Sequence, residues 1–209
     1  MLFNNSAGYW IVGSILLGLI VWVSWSVYIT AVTEEVPYTV IDNSKEYEIR
    51  EYEYFILAEV ETEGGITSGG NSAFSILFNY ISGQNENDQK IAMTTPVISE
   101  PIGEKIAMTA PVIQDKNTFS FVLPKEYTLE NAPKPKDSRI KLREIKNVKV
   151  AVLRFSGSYS DSNFEQKKIK LDSYLQRDGK DYSKMSSATY NPPGIPPFLR
   201  RLEVWAYLE

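Results

Sequence analysis

The stretch YEIREYEYFILAEVETEGG, residues 47–65, decides the fold of this 209-residue chain. Near its end, apolar Ile56, Ala58 and Val60 alternate with residues that are mostly acidic, and two glycines close the run. Successive side chains of a strand point to opposite faces, so this alternation predicts a half-buried β-strand that ends in a glycine turn.

The same pattern returns 93 residues later in IKLREIKNVKVAVLRFSGSYS, residues 140–160. This offset places Ala151 on Ala58 and Gly157 on Gly64. In both halves the strand is followed by a helical pattern and then by further strands. The sequence therefore predicts one pseudo-symmetric α+β domain, in which a mostly antiparallel, curled sheet is flanked by two helices.

One amphipathic helix is predicted in each half. In NSAFSILFNYISG the spacing i, i+3, i+4, i+7 places four apolar side chains on one face, and these are Phe74, Leu77, Phe78 and Ile81. Ser72 is the expected N-cap of this helix and Gly83 its stop. In the second half, Ser162 and Glu165 have the spacing of a capping box.

The remaining strands are predicted from short apolar runs. The pentapeptide KIAMT occurs at residues 90–94 and again at 105–109, each time followed by x-P-V, which indicates two similar strands around a Pro-Gly turn. Further strands are expected at residues 119–123, 186–190 and 202–208.

The composition excludes large classes of function. The chain has no His and no Cys, so it offers no Ser-His or Cys-His nucleophile, no thiolate cluster and no His-based metal site. A formal net charge of -4 argues against a nucleic-acid partner, since phosphate backbones are bound by basic surfaces. We therefore predict no catalytic site and no metal site.

The N-terminal segment has the composition of a membrane anchor. Residues 1–33 contain no charged side chain, and residues 9–32 are apolar or small throughout. A helix over residues 9–32 spans about 36 Å, which exceeds the hydrocarbon thickness of about 30 Å. A cleaved signal peptide is the alternative, but the segment lacks a charged leading region and an A-x-A-like cleavage site.

These features predict a division into three parts. Residues 1–33 form the N-terminal tail and transmembrane anchor, residues 34–46 a connector, and residues 47–209 the folded domain. The protein is thus expected to be a single-pass membrane protein. Lys45 and Arg50 are basic, but acidic residues lie closer to the anchor, so the charges define orientation poorly; the cytoplasmic side is our expectation for the domain.

Three motifs in this order resemble the SOUL family, also called the haem-binding protein family: AFSILFNYISG, the doubled KIAMTxPV, and the terminal YNPPGIPPFLRRLEVW. The resemblance covers residues 47–208, nearly the whole predicted domain. It implies a distorted β-barrel of two pseudo-repeated halves with a helix on each. It also implies non-covalent binding of haem or another porphyrin, which makes a tetrapyrrole the expected partner.

The resemblance also implies a site beside the first helix. The expected binding residues are Phe74, Leu77, Phe78, Ile81, Lys90, Met93, Met108 and Arg200. The four helix residues would line an apolar groove, or else pack the helix on the sheet. Met93 and Met108 would offer thioethers, or else fill gaps in the core. Lys90 and Arg200, with Lys105 and Arg201, would pair with propionates, or else remain solvated.

The chain departs from the family pattern in two respects. Some members carry a histidine proposed as an axial ligand, and others carry basic residues on the first helix and in the loop before the last strand. Here there is no histidine, and residues 71–83 and 191–199 contain no Lys or Arg. The predicted function is therefore a membrane-anchored tetrapyrrole-binding protein that uses an apolar groove without histidine ligation. The alternative is a scaffold or interaction module that keeps the fold without binding haem.

Overall fold

A computed structural model describes residues 5–62, 70–86, 104–115, 117–192 and 194–209. The helices are α1 (Asn5–Val32), α2 (Gly70–Ile81) and α3 (Asp161–Arg177), with a 3-10 turn at Pro197–Leu199. The strands are β1 (Thr39–Asn43), β2 (Glu48–Glu61), β3 (Asn85–Glu86), β4 (Thr109–Gln114), β5 (Thr118–Val122), β6 (Lys134–Pro135), β7 (Ile140–Phe155), β8 (Tyr182–Thr189) and β9 (Leu202–Leu208).

Six strands close into an antiparallel barrel. Their order is β2-β5-β4-β8-β9-β7, and β7 pairs back with β2, so the sheet closes on itself. The pairing of β2 with β7 runs from Glu48 opposite Val152 to Val60 opposite Ile140. The two halves, β2-α2-β4-β5 and β7-α3-β8-β9, confirm the predicted α+β barrel of two repeated units.

The buried apolar side chains form three clusters, and their membership follows from strand alternation. One cluster joins α2 to the outer face of β2 and β5, and a second joins α3 to β7 and β9. The third takes side chains from all six barrel strands and fills the interior, where Trp205 is fully buried. As predicted, Ile56, Ala58 and Val60 lie on one face of β2 and Leu57 on the other: the first three belong to the cluster with α2, and Leu57 belongs to the interior cluster.

Several element boundaries differ from the sequence-based expectation. The N-cap of α3 is Ser160, which accepts a hydrogen bond from the N–H of Asn163, so the predicted capping box at Ser162 was wrong. Ser160 has the extended backbone that a cap requires. Likewise α2 begins at Gly70, ahead of the expected cap Ser72, and Gly83 follows its end with φ of 109°.

The two KIAMT copies were both predicted to be strands. The first copy, residues 90–94, lies outside the described residues. In the second copy, residues 105–108 are irregular and the strand β4 begins only at Thr109. A hydrogen bond explains this: the N–H of Ile106 donates to the carbonyl of Ile81 at the end of α2, at 2.8 Å, and not to a neighbouring strand.

Among the described residues, one helix is long and apolar enough to cross a membrane, over Gly8–Val32. Its first half is exposed all round, whereas Ser26 near the other end is buried against the domain. Length and composition of this kind also suit a signal sequence or a core helix. Directly after α1, the backbone carbonyl of Glu34 accepts from the N–H of Ala110 at 2.8 Å. The strand β1, which lies inside the predicted connector, then pairs with β2.

Candidate functional site

The outer face of α2 carries two parallel aromatic rings. Phe74 and Phe78 lie one helical turn apart, with ring centroids 5.8 Å apart and planes inclined by 11°. Phe74 is half-buried because its ring meets Phe121 of β5 edge-on at 5.4 Å. Phe78 is 47% exposed. Together they form an aromatic patch, the Phe74–Phe78 face, which is open to solvent at Phe78.

The opposite side of α2 fixes the helix to the barrel. Leu77 and Ile81 are 0% and 5% exposed and belong to the core cluster beneath the helix. The hydroxyl of Tyr80 donates to the carbonyl of Pro133 at 2.8 Å. The sequence-predicted stripe therefore divides into two core residues and two residues of the aromatic face.

A second segment is tied to the end of α2. The side-chain amide of Asn85 donates to the carbonyls of Tyr80, at 2.9 Å, and Glu104, at 2.8 Å. The hydroxyl of Tyr127 donates to the carboxylate of Glu104 at 2.7 Å. These bonds fix residues 104–108 next to α2, and Met108 in this segment is 40% exposed.

The tyrosines near α2 serve as neutral hydrogen-bond donors. Burial raises the pKa of Tyr80, and burial together with the hydrogen bond to Glu104 raises the pKa of Tyr127. Both phenols stay protonated at neutral pH and donate to protein oxygens. Neither offers the phenolate that an iron ligand requires.

The other predicted binding residues lie on other segments of the chain or outside the described residues. Arg200 is in the loop between β8 and β9, where its Nε donates to the carbonyl of Ile195 at 2.8 Å. Lys105 is exposed in the segment 104–108, which is hydrogen-bonded to the end of α2. Lys90 and Met93 fall outside the described residues. The structure thus brings together Phe74 and Phe78, with Met108 in the segment tied to the same helix.

A buried ionic network, which the sequence analysis missed, occupies one end of the barrel interior. Glu203 of β9 is 0% exposed. Its carboxylate accepts from Arg50 at 3.0 Å, from Arg201 at 2.8 Å, and from the Tyr190 hydroxyl and Trp205 indole at 2.8 Å each. Burial opposes the charge, but the two guanidinium groups outweigh it and hold the pKa of Glu203 below its usual value.

The network extends from Glu203 to the start of the domain. Arg201 also donates to Glu35 at 2.8 Å, and Arg50 also pairs with Glu48 at 2.8 Å. The guanidinium of Arg201 lies 3.8 Å from the ring centroid of Tyr190. The alternation in LEVWAYL, residues 202–208, could have indicated this network, because it places Glu203 on the same strand face as the apolar Trp205.

Within the described ranges, no group of three or more His, Asp or Glu side chains is placed to hold a metal ion.

Comparison with known proteins gives a consistent result. The family model described as SOUL heme-binding protein matches residues 33–207. Heme-binding protein 2 of Homo sapiens is 32% identical over 168 residues, which cover 76% of each chain. Heme-binding protein 1 of Sus scrofa is 26% identical over 160 residues, or 76% of this chain and 82% of that protein.

The fold also recurs among solved structures. A crystal structure titled as a hydrolase from Listeria innocua superposes with a TM-score of 0.51 at 12% identity, covering 81% of this chain and 94% of that one. At this identity the likeness concerns the fold alone.

Proposed function

The chain belongs to the SOUL heme-binding protein family, and we propose on this premise that it binds haem or a porphyrin non-covalently on the Phe74–Phe78 face. The observation that carries the proposal is the pair of parallel rings, 5.8 Å apart, with Phe78 open to solvent. Flat aromatic surfaces favour offset stacking with other conjugated rings. The proposed function is binding and not catalysis.

The residues near this face fit the ring of a tetrapyrrole better than its metal. The chain has no His or Cys, and Tyr80 and Tyr127 are neutral donors to protein oxygens. A bound haem supplies an iron centre, whereas a porphyrin supplies only the conjugated ring. Phe74 and Phe78 would contact the ring that both share, and Met108 would flank it. Lys90, Met93 and Arg200 remain proposals as further binding residues, and Leu77 and Ile81, which are buried beneath the helix, would support the Phe74–Phe78 face from below.

This arrangement predicts that haem and protoporphyrin bind with dissociation constants within about tenfold of each other, a difference below about 1.4 kcal/mol. Stacking on apolar rings does not distinguish an iron porphyrin from a metal-free one. The measurement is a pair of fluorescence-quenching titrations on the full chain in lipid nanodiscs, with empty nanodiscs as the control. Haem binding a hundredfold tighter, with a low-spin six-coordinate spectrum, would reveal an axial ligand and contradict the proposal.

An interaction module without a ligand is the second candidate. It is favoured by the absence of charge on α2 and by Arg201, whose guanidinium is already paired with Glu203 and Glu35. Among the described residues of α2 and the segment 104–108, only Lys105 offers a cation to a propionate group. In the same titrations, non-saturating uptake equal to that of empty nanodiscs would favour this second candidate.

We further propose that residues 1–33 form a single-pass membrane anchor, followed by the connector 34–46 and the domain 47–209, with the domain on the cytoplasmic side. The apolar, largely exposed helix over Gly8–Val32 supports this proposal. Such a helix buries no charged group in lipid.

The anchor predicts that the full-length protein stays in the membrane pellet after alkaline carbonate extraction. Mass spectrometry of the same sample should find the segment 1–33 still attached. Release into the supernatant, or a mature N-terminus near Glu34, would identify a cleaved signal instead.

A further inference from the structure

Residues 191–199 (NPPGIPPFL) belong to the loop between β8 and β9, and described residues of this stretch contact the C-terminal half of α1 at two places. The indole Nε1 of Trp22 donates to the carbonyl of Gly194 at 2.9 Å. The side-chain amide of Asn191 donates to the hydroxyl of Thr30 at 2.9 Å. Between these two positions on the helix, Ser26 is only 1% exposed. The stretch 191–199, which we call the proline loop, is therefore bonded to α1 at two positions that are about two helical turns apart.

If α1 crosses a bilayer, its length places the contact with the proline loop within the thickness of that bilayer. The candidate membrane span begins at Gly8, and its residues 8–22, up to the first contact with the proline loop, cover about 22 Å at about 1.5 Å per residue. A hydrocarbon core of about 30 Å needs about 20 residues. To cross it, the helix must also use the residues that follow Trp22, and these face the proline loop. Tilting the helix increases the number required.

The backbone of the proline loop suits a place with little water. Four of its nine residues are prolines, which have no N–H to desolvate. Four consecutive carbonyls accept hydrogen bonds within the protein: Gly194 from Trp22 Nε1, Ile195 from Arg200 Nε, Pro196 from the N–H of Leu199, and Pro197 from the N–H of Gly157. Unsatisfied backbone groups are what excludes most loops from lipid, and these carbonyls are already paired.

The side chains of the proline loop also suit a position at the membrane interface. The loop carries no charged residue, and Phe198 at its end is 70% exposed. Aromatic rings are favoured at the boundary between hydrocarbon and headgroups. The first charged residue after the loop is Arg200, a cation that suits the level of lipid phosphates.

We infer that the proline loop enters the interface of the same bilayer that α1 crosses, with the Phe198 ring in lipid and Arg200 at the level of the headgroups. This inference rests on the membrane anchoring proposed above. It gives the domain a second point of attachment beside the helix. The barrel is then held in one orientation on the membrane surface and does not move freely on a tether.

The chain contains no cysteine, so single cysteines introduce a fluorophore at chosen positions. Three variants of the full chain, Phe198→Cys, Ile15→Cys and Ile169→Cys, are labelled with a nitrobenzoxadiazole dye and reconstituted in phosphatidylcholine vesicles. Ile15 reports on the proposed membrane span, where it is 58% exposed. Ile169 on α3 is the matched control, because it is 69% exposed and apolar like Phe198. Quenching is measured with spin-labelled lipids and with aqueous iodide.

We expect spin-labelled lipids to quench the dyes at positions 15 and 198 at least about threefold more than the dye at 169, with iodide showing the reverse order. If position 198 behaves like 169 while 15 is quenched by lipid, the loop stays in water and the inference is wrong, but the anchor stands. If 198 is shielded from both quenchers, protein and not lipid covers it, which also overturns the inference. If 15 is not quenched by lipid, the anchor itself fails.

Discussion

Replacing Glu203 by glutamine is expected to lower the free energy of unfolding by about 3 to 5 kcal/mol. The carboxylate is 0% exposed and is the shared partner of Arg50 and Arg201, whose side chains are 2% and 12% exposed. Removing its charge leaves two largely buried guanidinium groups facing a neutral amide. Urea unfolding of the full chain in detergent micelles, followed by circular dichroism, measures the loss.

The matched control for this variant is Glu61→Gln, which breaks the pair with Lys141. Those side chains are 75% and 68% exposed, so solvent screens the pair and we expect its loss to lower the free energy of unfolding far less than the loss of Glu203. Equal, small effects for both variants would show that the buried network contributes nothing net.

The same variant has a defined pH signature. The pKa of Glu203 is held below its ordinary value of 4.5, so the folded state binds this proton less readily than the unfolded state. Its contribution to stability is therefore present above about pH 4.5 and is lost as the pH falls through the folded pKa. The Glu203→Gln chain should lose less stability than the original over that acidic range. A parallel acid decline in both chains would contradict this assignment.

The second large expected effect is a difference in stability between substitutions on the two sides of α2. Leu77→Ala is expected to cost about 2 to 5 kcal/mol of stability, because Leu77 is fully buried and the change leaves a cavity. Phe78→Ala is expected to cost about 1 kcal/mol, because the ring is 47% exposed and loses mainly its contact with Phe74. Urea unfolding of both variants tests the difference. Similar losses would mean that Phe78 is a core residue and not part of an open face.

The repeated pattern made the barrel predictable from sequence, because alternation and helical spacing are local. Residues 47–65 and 140–160 supplied the strands β2 and β7, and each helix followed at the expected place. In the second KIAMT copy the expected strand begins only at its last residue, Thr109, because the N–H of Ile106 donates to the carbonyl of Ile81 and not to a neighbouring strand. Such a contact between distant residues has no local signal.

The site was predictable only in part for a similar reason. Helical spacing identified one stripe on α2, but only packing against the barrel shows that Leu77 is inside and Phe78 outside. The interior network joins Arg201 and Glu203 near the end of the chain to Glu35 and Arg50, which precede them by more than 150 positions. The contact of the proline loop with Trp22 spans 172 positions and had no sequence signal of its own.

The most direct test of the proposed function is the affinity of the Phe78→Ala variant for protoporphyrin, measured by equilibrium fluorescence titration of the full chain in nanodiscs. Ile169→Ala, which removes an exposed apolar side chain from α3, is the control. We predict saturable binding by the original chain, unchanged binding by the control, and binding at least about tenfold weaker for Phe78→Ala, since burying one aromatic side chain contributes about 1.5 to 3 kcal/mol. A folded Phe78→Ala chain that binds within about twofold of the original would contradict the placement of the ligand on α2.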